Sequence, residues 1–458
     1  MSTVVIKFVG ALEERFGRSI FSAFEERVMI LSIIISAATC LAMILAVLFY
    51  PKINIGRVSL GSYWVVTVVG AILLLVTGAV DPLDVSSALL ADTAINPLKI
   101  LVLFISMTLL SIYLDELGFF RYLASATLRR AGCSQVRLFF ILYITVSILT
   151  VFTSNDIIIL SFTPFICYFA KSAKISPLPY LAAEFVAANT WSMALIIGNP
   201  TNIYLVTAAG GNFVSYLITM IFPTLISGTV AFFCLHFVFH KKLSQPIEAS
   251  PEEVRIDDPI SLIVGIVHLA VCTLLLAVGS YLGIEMWLVS FLAAVSLLTF
   301  PVILSLVRKE APVHTVASLK RAPWELIPFI LSMFVVVESL HTNGVTDHLY
   351  RLLDTSAPVW SYGVTSFFAA NLINNIPMSV LYSAILSGGA TPAAVYATVV
   401  GSNLGACLSP IGALAGIMWS SILKKHDLKF GYLDFLKIGI TIAIPALVAA
   451  LAMLDLIF

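Results

Sequence analysis

Charge is the scarcest ingredient of this sequence. Of 458 residues only 25 are basic and 25 acidic, while 60% are apolar and the mean hydropathy is +1.04. Soluble domains carry about twice that share of charge, so a soluble enzyme is excluded and a chain that crosses the bilayer many times is implied. The balance of signs leaves a formal net charge of zero, which provides no basic face for nucleic acid and no acidic tail. Cysteine is also sparse: Cys40, Cys133, Cys167, Cys234, Cys272 and Cys407 form no C-x-x-C pair, which argues against a disulfide framework or a zinc site and for packing roles. Paired histidine and carboxylate ligands, a Gly-x-Ser-x-Gly stretch and a nucleotide-binding glycine loop are all missing. No loop between apolar runs exceeds about 20 residues, too few for a catalytic domain. The expectation is therefore a protein without enzymatic activity or organic cofactor. The first 27 residues hold no long apolar stretch before a small-residue cleavage site, so no secretory signal is expected.

Long hydrophobic runs are what the chain does have. Full-length candidates for spanning helices lie at 28–50, 63–80, 97–114, 179–206, 214–239, 261–282, 287–306, 324–340, 393–420 and 431–454, each near the roughly 20 residues that a 30 Å bilayer core requires. Two further regions are different. Segments 138–153 and 157–170 flank Thr153-Ser154-Asn155-Asp156, and 359–373 and 376–387 flank Asn374-Asn375. Arms of about 18–24 Å are too short to cross unaided, so each pair reads as a re-entrant hairpin, 138–171 and 359–388. An ordinary loop between two short spans is the alternative. A polar tip at membrane depth must be buried in protein or line a cavity, which makes both tips candidate sites.

Lysine and arginine set an orientation. Nineteen of the 25 basic residues fall in 51–62, 115–137, 171–178, 240–260, 307–323 and 424–437, which the positive-inside rule places in the cytoplasm. Segments 81–96, 207–213 and 283–286 carry none, and 341–358 only Arg351. The first 27 residues form a separate segment, read as an amphipathic helix on the membrane with Val4, Val5, Phe8 and Leu12 on one side; which side of the bilayer it occupies stays open.

The order three spans, hairpin, interrupted span, span occurs over 28–239 and again over 261–458, joined by a cytoplasmic linker at 240–260. Five crossings in each half invert the second copy, as in secondary transporters with a midplane site. The first hairpin then faces the cytoplasm and the second the outside. The interruptions correspond: Gly198-Asn199-Pro200-Thr201-Asn202 in one half and Ser409-Pro410-Ile411-Gly412 in the other. Proline and glycine inside a span free carbonyls and expose half-helix ends that can bind ions.

Ser154, Asn155, Asn199, Thr201, Asn202, Asn374, Asn375, Asn403 and Ser409 supply neutral oxygens for a hard cation and amides or hydroxyls for an oxyanion or neutral oxyacid. Asp156 is the carboxylate at the first tip, and reads as a proton or cation carrier or as a cap on the following half-helix. Glu184 is either a second carrier or a partner of Lys171 or Lys174. Lys99, Glu338, His236 and His268 read as snorkelling or satisfied polar residues. Segments 115–131 and 342–356, which precede the hairpins, look like interfacial struts.

Read in order, Phe152-Thr153-Ser154-Asn155-Asp156, Thr163-Pro164, Ala188-Asn189-Thr190, Gly198-Asn199-Pro200-Thr201-Asn202-Ile203, Asn374-Asn375-Ile376-Pro377, Gly401-Ser402-Asn403-Leu404-Gly405 and Ser409-Pro410-Ile411-Gly412 resemble the arsenite permease family of the ion transporter superfamily. The resemblance runs from Tyr50-Pro51-Lys52 to the end. It implies an all-α polytopic membrane protein of about ten transmembrane helices and two re-entrant hairpins, located in the plasma membrane and exporting trivalent arsenic or antimony driven by the proton gradient. In some family members a soluble ATPase subunit assists, and related divalent-anion/sodium symporters are homodimers that move by an elevator mechanism. It also implies a binding set of Ser154, Asn155, Asp156, Asn189, Gly198, Asn199, Thr201, Asn202, Asn374, Asn375, Asn403, Ser409 and Gly412. Sodium, if it is the coupling ion, would lie at Ser154, Asn155, Gly198 and Asn375. Two departures stand out: the family pattern has aspartate where this chain has Asn189 and Asn403, and the Ser-Asn-Thr tips of the symporters are broken here. An amide cannot ionise, so Asp156 is left as the carboxylate beside the site. The alternatives are a sodium- or proton-coupled citrate or dicarboxylate carrier, a cation/proton antiporter of the same superfamily and, from a different class, an ion channel.

Overall fold

The computed structural model describes residues 18–50, 52–55, 58–92, 96–132, 134–208, 210–245, 255–279, 282–308, 311–428 and 430–458. The tail with Val4, Val5, Phe8 and Leu12 lies outside the described residues, as does Cys133. Twenty α-helices are found among those described. The first ten are α1 Arg18–Phe49, α2 Ser62–Val76, α3 Pro82–Leu90, α4 Pro97–Glu116, α5 Phe119–Ala131, α6 Gln135–Phe152, α7 Asn155–Ser172, α8 Leu178–Trp191, α9 Pro200–Ala208 and α10 Phe213–Leu243. The second ten are α11 Pro259–Gly279, α12 Met286–Arg308, α13 Val313–Arg321, α14 Leu326–Thr342, α15 Val345–Leu353, α16 Pro358–Ile373, α17 Asn375–Leu386, α18 Pro392–Gly405, α19 Leu414–Lys425 and α20 Tyr432–Ile457.

Local chemistry explains many of these starts. Asp81-Pro82, Asn96-Pro97 and Thr391-Pro392 each place a side-chain oxygen on a free backbone N–H and a proline in the first turn, where its missing donor costs nothing. Asn212 caps α10 in the same way. Gly118 and Gly132, at φ 77° and 60°, bracket α5 where the chain must turn through the left-handed region.

The two sets of ten correspond element by element, and so does their packing. α4 packs on α11, α12 and α13, and α14 packs on α1 and α2. α6 lies against α8, and α16 against α18. The hairpin arm α7 meets α19 of the other set, while α17 meets α9. The halves thus exchange elements, which a sequence repeat alone does not reveal.

Two compact units result. One comprises the chain through Asp92 together with Glu325–Leu352, and the other Thr93–Trp324 together with Leu353–Phe458. In the first, Ser332 donates to Thr67 at 2.7 Å, Ser32 and Ser339 bond at 2.8 Å, and Glu325 accepts from Gly61 N and the Tyr63 hydroxyl. Hydroxyl pairs of this kind tie helices together where lipid provides no hydrophobic drive. The second unit holds both hairpins and both interrupted helices.

By length and composition, eight helices among the described residues could cross a membrane. Seven correspond to spans expected from the sequence, and the eighth is α6, whose 18 residues extend about 27 Å, longer than expected for a hairpin arm. The expected span 63–80 is the 15-residue α2, and 179–206 and 393–420 are broken as anticipated. Three elements lie outside the sequence expectation. A short antiparallel ribbon, β1 Lys52–Ile55 and β2 Val58–Gly61, replaces the expected loop, and α3 and α13 form short helices within segments read as loops. The struts 115–131 and 342–356 are present as α5 and α15, with α4 continuing to Glu116 before the turn.

Candidate functional site

Both hairpin tips are buried. Ser154 is 7% exposed, Asn155 1%, and Asn374 and Asn375 3%. Burial in protein is what a polar tip at membrane depth requires. At the first tip Thr153 is extended and its hydroxyl bonds back to Leu149 O at 2.7 Å, ending α6. Ser154 then occupies the cap position of α7 without capping it. At the second tip Asn374 holds φ 72° and ψ 150°, a region that disfavours any side chain. Two bonds hold it there: its Oδ1 accepts from Ile376 N at 3.3 Å and its Nδ2 donates to Ile411 O at 2.9 Å.

The first interruption is a pair of 3₁₀ turns, Ser192–Ala194 and Ile196–Gly198, between α8 and α9. Gly198 is required there, because a Cβ would lie 2.3 Å from Ser192 O. Asn202 closes the turns by donating to Ser192 O at 2.8 Å and Leu195 O at 3.1 Å. The second interruption, between α18 and α19, packs Gly412 so closely that a Cβ would meet Gly405 O at 2.8 Å. Asn375 N donates to Gly412 O at 3.0 Å, joining this break to the second tip.

A continuous amide network crosses between the two halves of the sequence. Asn155 Nδ2 donates to Asn189 Oδ1 at 3.0 Å, and Asn189 Nδ2 to Phe185 O at 2.9 Å. Asn403 Oδ1 accepts from Ser192 Oγ at 2.8 Å and Asn199 Nδ2 at 2.9 Å, while its Nδ2 donates to Asn202 Oδ1 at 2.7 Å and Val399 O at 2.8 Å. Asn189 and Asn403 therefore occupy matching places, each bonded to the carbonyl four residues before it. A second network joins Asn371 to Gly405 O and to the Ser409 hydroxyl.

Around these networks lie buried oxygens without a protein partner among the described residues: Ser154 Oγ, Asn155 Oδ1, Thr190 Oγ1, Thr201 Oγ1, Asn375 Oδ1 and Ser402 Oγ. Such groups are costly to bury, and those at the tips and breaks could each bond a polar solute. α7, α9, α17 and α19 all begin at a tip or a break, directing four positive helix ends toward it without a full charge. The oxygens of Ser154, Asn155 and Asn375 are of the kind that also suits sodium.

Asp156 stands apart. It lies in the first turn of α7, is half-buried, and makes no hydrogen bond or ion pair with any described residue. It is thus not a hydrogen-bonding cap. Glu184 does not pair with Lys171 or Lys174 as one expectation had it: it is fully buried and accepts from the Thr163 hydroxyl at 2.9 and 3.0 Å. Lys99 pairs with Glu285 at 2.7 Å, and His268 bonds Val264 O and Ser296, the satisfied contacts expected of them. Thr190, Ser192, Asn371 and Ser402 join the site without having been expected there. Thr190 and Ser402 adjoin Asn189 and Asn403, a signal that was available; Ser192 and Asn371 act through partners that only the fold supplies.

Known proteins are similar to this chain in sequence and in fold. A family model described as a citrate transporter covers residues 55–397, and the arsenical pump membrane protein of Escherichia coli (strain K12) is 31% identical over 449 residues, spanning 92% of this chain and 98% of that protein. This chain belongs to the arsenite permease family. The putative arsenical pump membrane protein of Bacillus subtilis (strain 168) is 25% identical over 408 residues, with 81% of this chain and 89% of that one covered. In fold the chain is similar to the crystal structure of the Alcanivorax borkumensis YdaH transporter, with a TM-score of 0.55 at 13% identity over 94% of this chain and 98% of that one. As a member of the arsenite permease family, the chain is a multi-pass membrane protein and a secondary transporter of a small solute.

Proposed function

We propose that this permease exports trivalent arsenic or antimony as the neutral hydroxide, coupled to the proton gradient. The observation that carries this reading is the chemistry of the site: buried amides and hydroxyls, four helix N-termini, and no lysine or arginine among the residues of the networks. Arsenous acid is uncharged at neutral pH and offers hydroxyl groups that both donate and accept, which orphaned oxygens and amide N–H groups can match. The names of the E. coli and B. subtilis relatives support the same cargo. Citrate is the second reading, favoured by the description of the matching family model. A multiply charged carboxylate would need basic side chains or bound cations to offset its desolvation, and the site supplies only partial positive charges.

Movement between the two faces is proposed to be elevator-like, with the hairpins and interrupted helices as the carrier. The mutual packing of α6 with α8, α16 with α18, α7 with α19 and α9 with α17 supports this. Binding separates the cargo readings without transport. Purified protein in detergent should gain thermal stability with millimolar arsenite or antimonite and none with citrate. Stabilisation by citrate plus sodium, with none by arsenite, would overturn the cargo assignment.

A further inference from the structure

Glu184 is the one acidic residue with no exposure among the described residues. It projects from α8 to where α7 and α19 meet. Facing it are Thr163 and Cys167 of α7 and the Trp419 indole of α19. No acid or base from α6, α10 or α18, which also pack on α8, reaches it, and no basic residue pairs with it. A carboxyl group in that position has the Thr163 hydroxyl and the Trp419 indole for company and no basic partner among the described residues to offset a charge, the situation in which intramembrane acids serve proton movement.

The second set of helices shows that the fold itself does not need an acid there. Asn189 bonds Phe185 O and Asn403 bonds Val399 O, so the residues just before those carbonyls, Glu184 and Thr398, are equivalent. Thr398 bonds Ala394 O on its own helix. Counting from the tips, Thr163 is eight residues past Asn155 and its equivalent Ser383 eight past Asn375, and Ser383 likewise bonds its own helix at Val380 O. Two small hydroxyl residues, each bonded to its own helix, thus fill the position in one half, whereas the other half carries a carboxyl group bridging two helices.

Thr163 also connects Glu184 to the transport site. It lies seven residues after Asp156 on α7, which is the same face of the helix about 10 Å further along. Asp156 is half-buried and makes no hydrogen bond or ion pair among the described residues, so one face of α7 carries a partly exposed carboxylate at the tip and, two turns further on, the hydroxyl that binds the sealed one.

We propose that Glu184 is a proton-binding site of the transport cycle, reached along the α7 face that carries Asp156 and Thr163. One O–H bond forms on the Glu184 carboxylate when a proton arrives from water on one side of the membrane, and the same bond breaks when it is released on the other. This rests on the proton-coupled arsenite reading above. It provides that reading with an ionisable group that Asn189 and Asn403 cannot supply.

The test uses the full chain in proteoliposomes. Labelled arsenite accumulation driven by an imposed pH gradient is compared with exchange of labelled against trapped unlabelled arsenite, for wild type, Glu184→Gln and Glu184→Asp. The expected result is that the ratio of gradient-driven to exchange flux collapses in Glu184→Gln, and that Glu184→Asp restores gradient-driven flux with a shifted pH midpoint. A wild-type ratio in Glu184→Gln would overturn the assignment and leave the functional reading intact. Parallel loss of both fluxes in a monodisperse Glu184→Gln sample would assign the residue to packing and likewise overturn it. If Glu184→Gln does not fold, an unshifted pH midpoint in Glu184→Asp does the same. No arsenite movement by the wild type would remove the functional reading and the proposal together.

Discussion

Asn403 is the hub of the amide network, and replacing it by alanine is the sharpest probe of what holds the site together. The substitution removes four hydrogen bonds, orphans two side-chain groups and leaves a third with one partner fewer: Asn199 Nδ2 loses its acceptor, Asn202 Oδ1 loses its donor, and Ser192 Oγ keeps only Asn189 O. Each buried group left unsatisfied costs about 1–3 kcal/mol. Because the three share one network their costs overlap, and a total of roughly 3–5 kcal/mol is expected. That is a large fraction of the stability of a folded domain. Thr190 provides the contrast. Its hydroxyl is buried and without a protein partner, so the isosteric Thr190→Val removes no bond and should leave stability within about 0.5 kcal/mol of wild type. Losing one hydrogen bond to the cargo should still raise the KM for arsenite by about 2- to 10-fold. The assay pairs thermal unfolding in detergent with arsenite flux in proteoliposomes. Asn403→Ala should melt several degrees lower and lose flux, whereas Thr190→Val should melt with the wild type and lose affinity. Equal melting of Asn403→Ala and wild type, or an unchanged KM in Thr190→Val, would refute the division between residues that build the site and residues that face the cargo.

Further consequences concern the backbone, the tip and a tie between helices. Gly198→Ala places a methyl group 2.3 Å from the Ser192 carbonyl and should cost about 1–3 kcal/mol or more, read as a lower melting temperature together with loss of flux. Asp156→Asn has no partner to lose; its melting temperature should match the wild type while the pH dependence of flux changes, and an unchanged profile would remove Asp156 from the coupling path. Asp115 accepts from Ser161 of α7 at 2.7 Å and from Arg321 of α13 at 2.7 Å, while Arg321 also reaches Glu116. Arg321→Ala leaves the Asp115 charge with one hydroxyl, and since the guanidinium is 43% exposed the loss should be about 1–2 kcal/mol. Asp115→Cys combined with Ser161→Cys, in a background lacking the native cysteines, would allow a disulfide that ties α4 to the hairpin arm α7 and should stop transport until it is reduced; undiminished flux in the oxidised sample would contradict a moving hairpin.

Much of this architecture could be read from residues acting locally. Apolar runs locate the long spans, Asn155-Asp156 and Asn374-Asn375 mark the tips because nothing else explains polar pairs inside apolar sequence, and Gly198 and Gly412 mark the breaks because a side chain does not fit there. The pairing of α7 with α19 and of α9 with α17 could not be read in this way, since it joins residues more than 160 positions apart through packing rather than pattern. Nor could the role of Ser192, whose hydroxyl becomes informative only once a 3₁₀ turn aims it at Asn403. The ribbon 52–61 and the short helices α3 and α13 are hidden by length: four-residue strands and nine-residue helices carry too few periods to stand out. Glu184 departs from one of its two sequence readings for a related reason. Two lysines nearby in sequence suggest an ion pair, whereas the helix directs the carboxylate into the protein interior.

The measurement that bears most directly on the central claim is accumulation of labelled arsenite by inside-out vesicles containing the full chain, with proton and sodium gradients imposed separately and citrate supplied in parallel. Arsenite accumulation should collapse with the proton gradient, ignore sodium and be unaffected by citrate. Citrate accumulation driven by sodium, with no movement of arsenite, would contradict that claim.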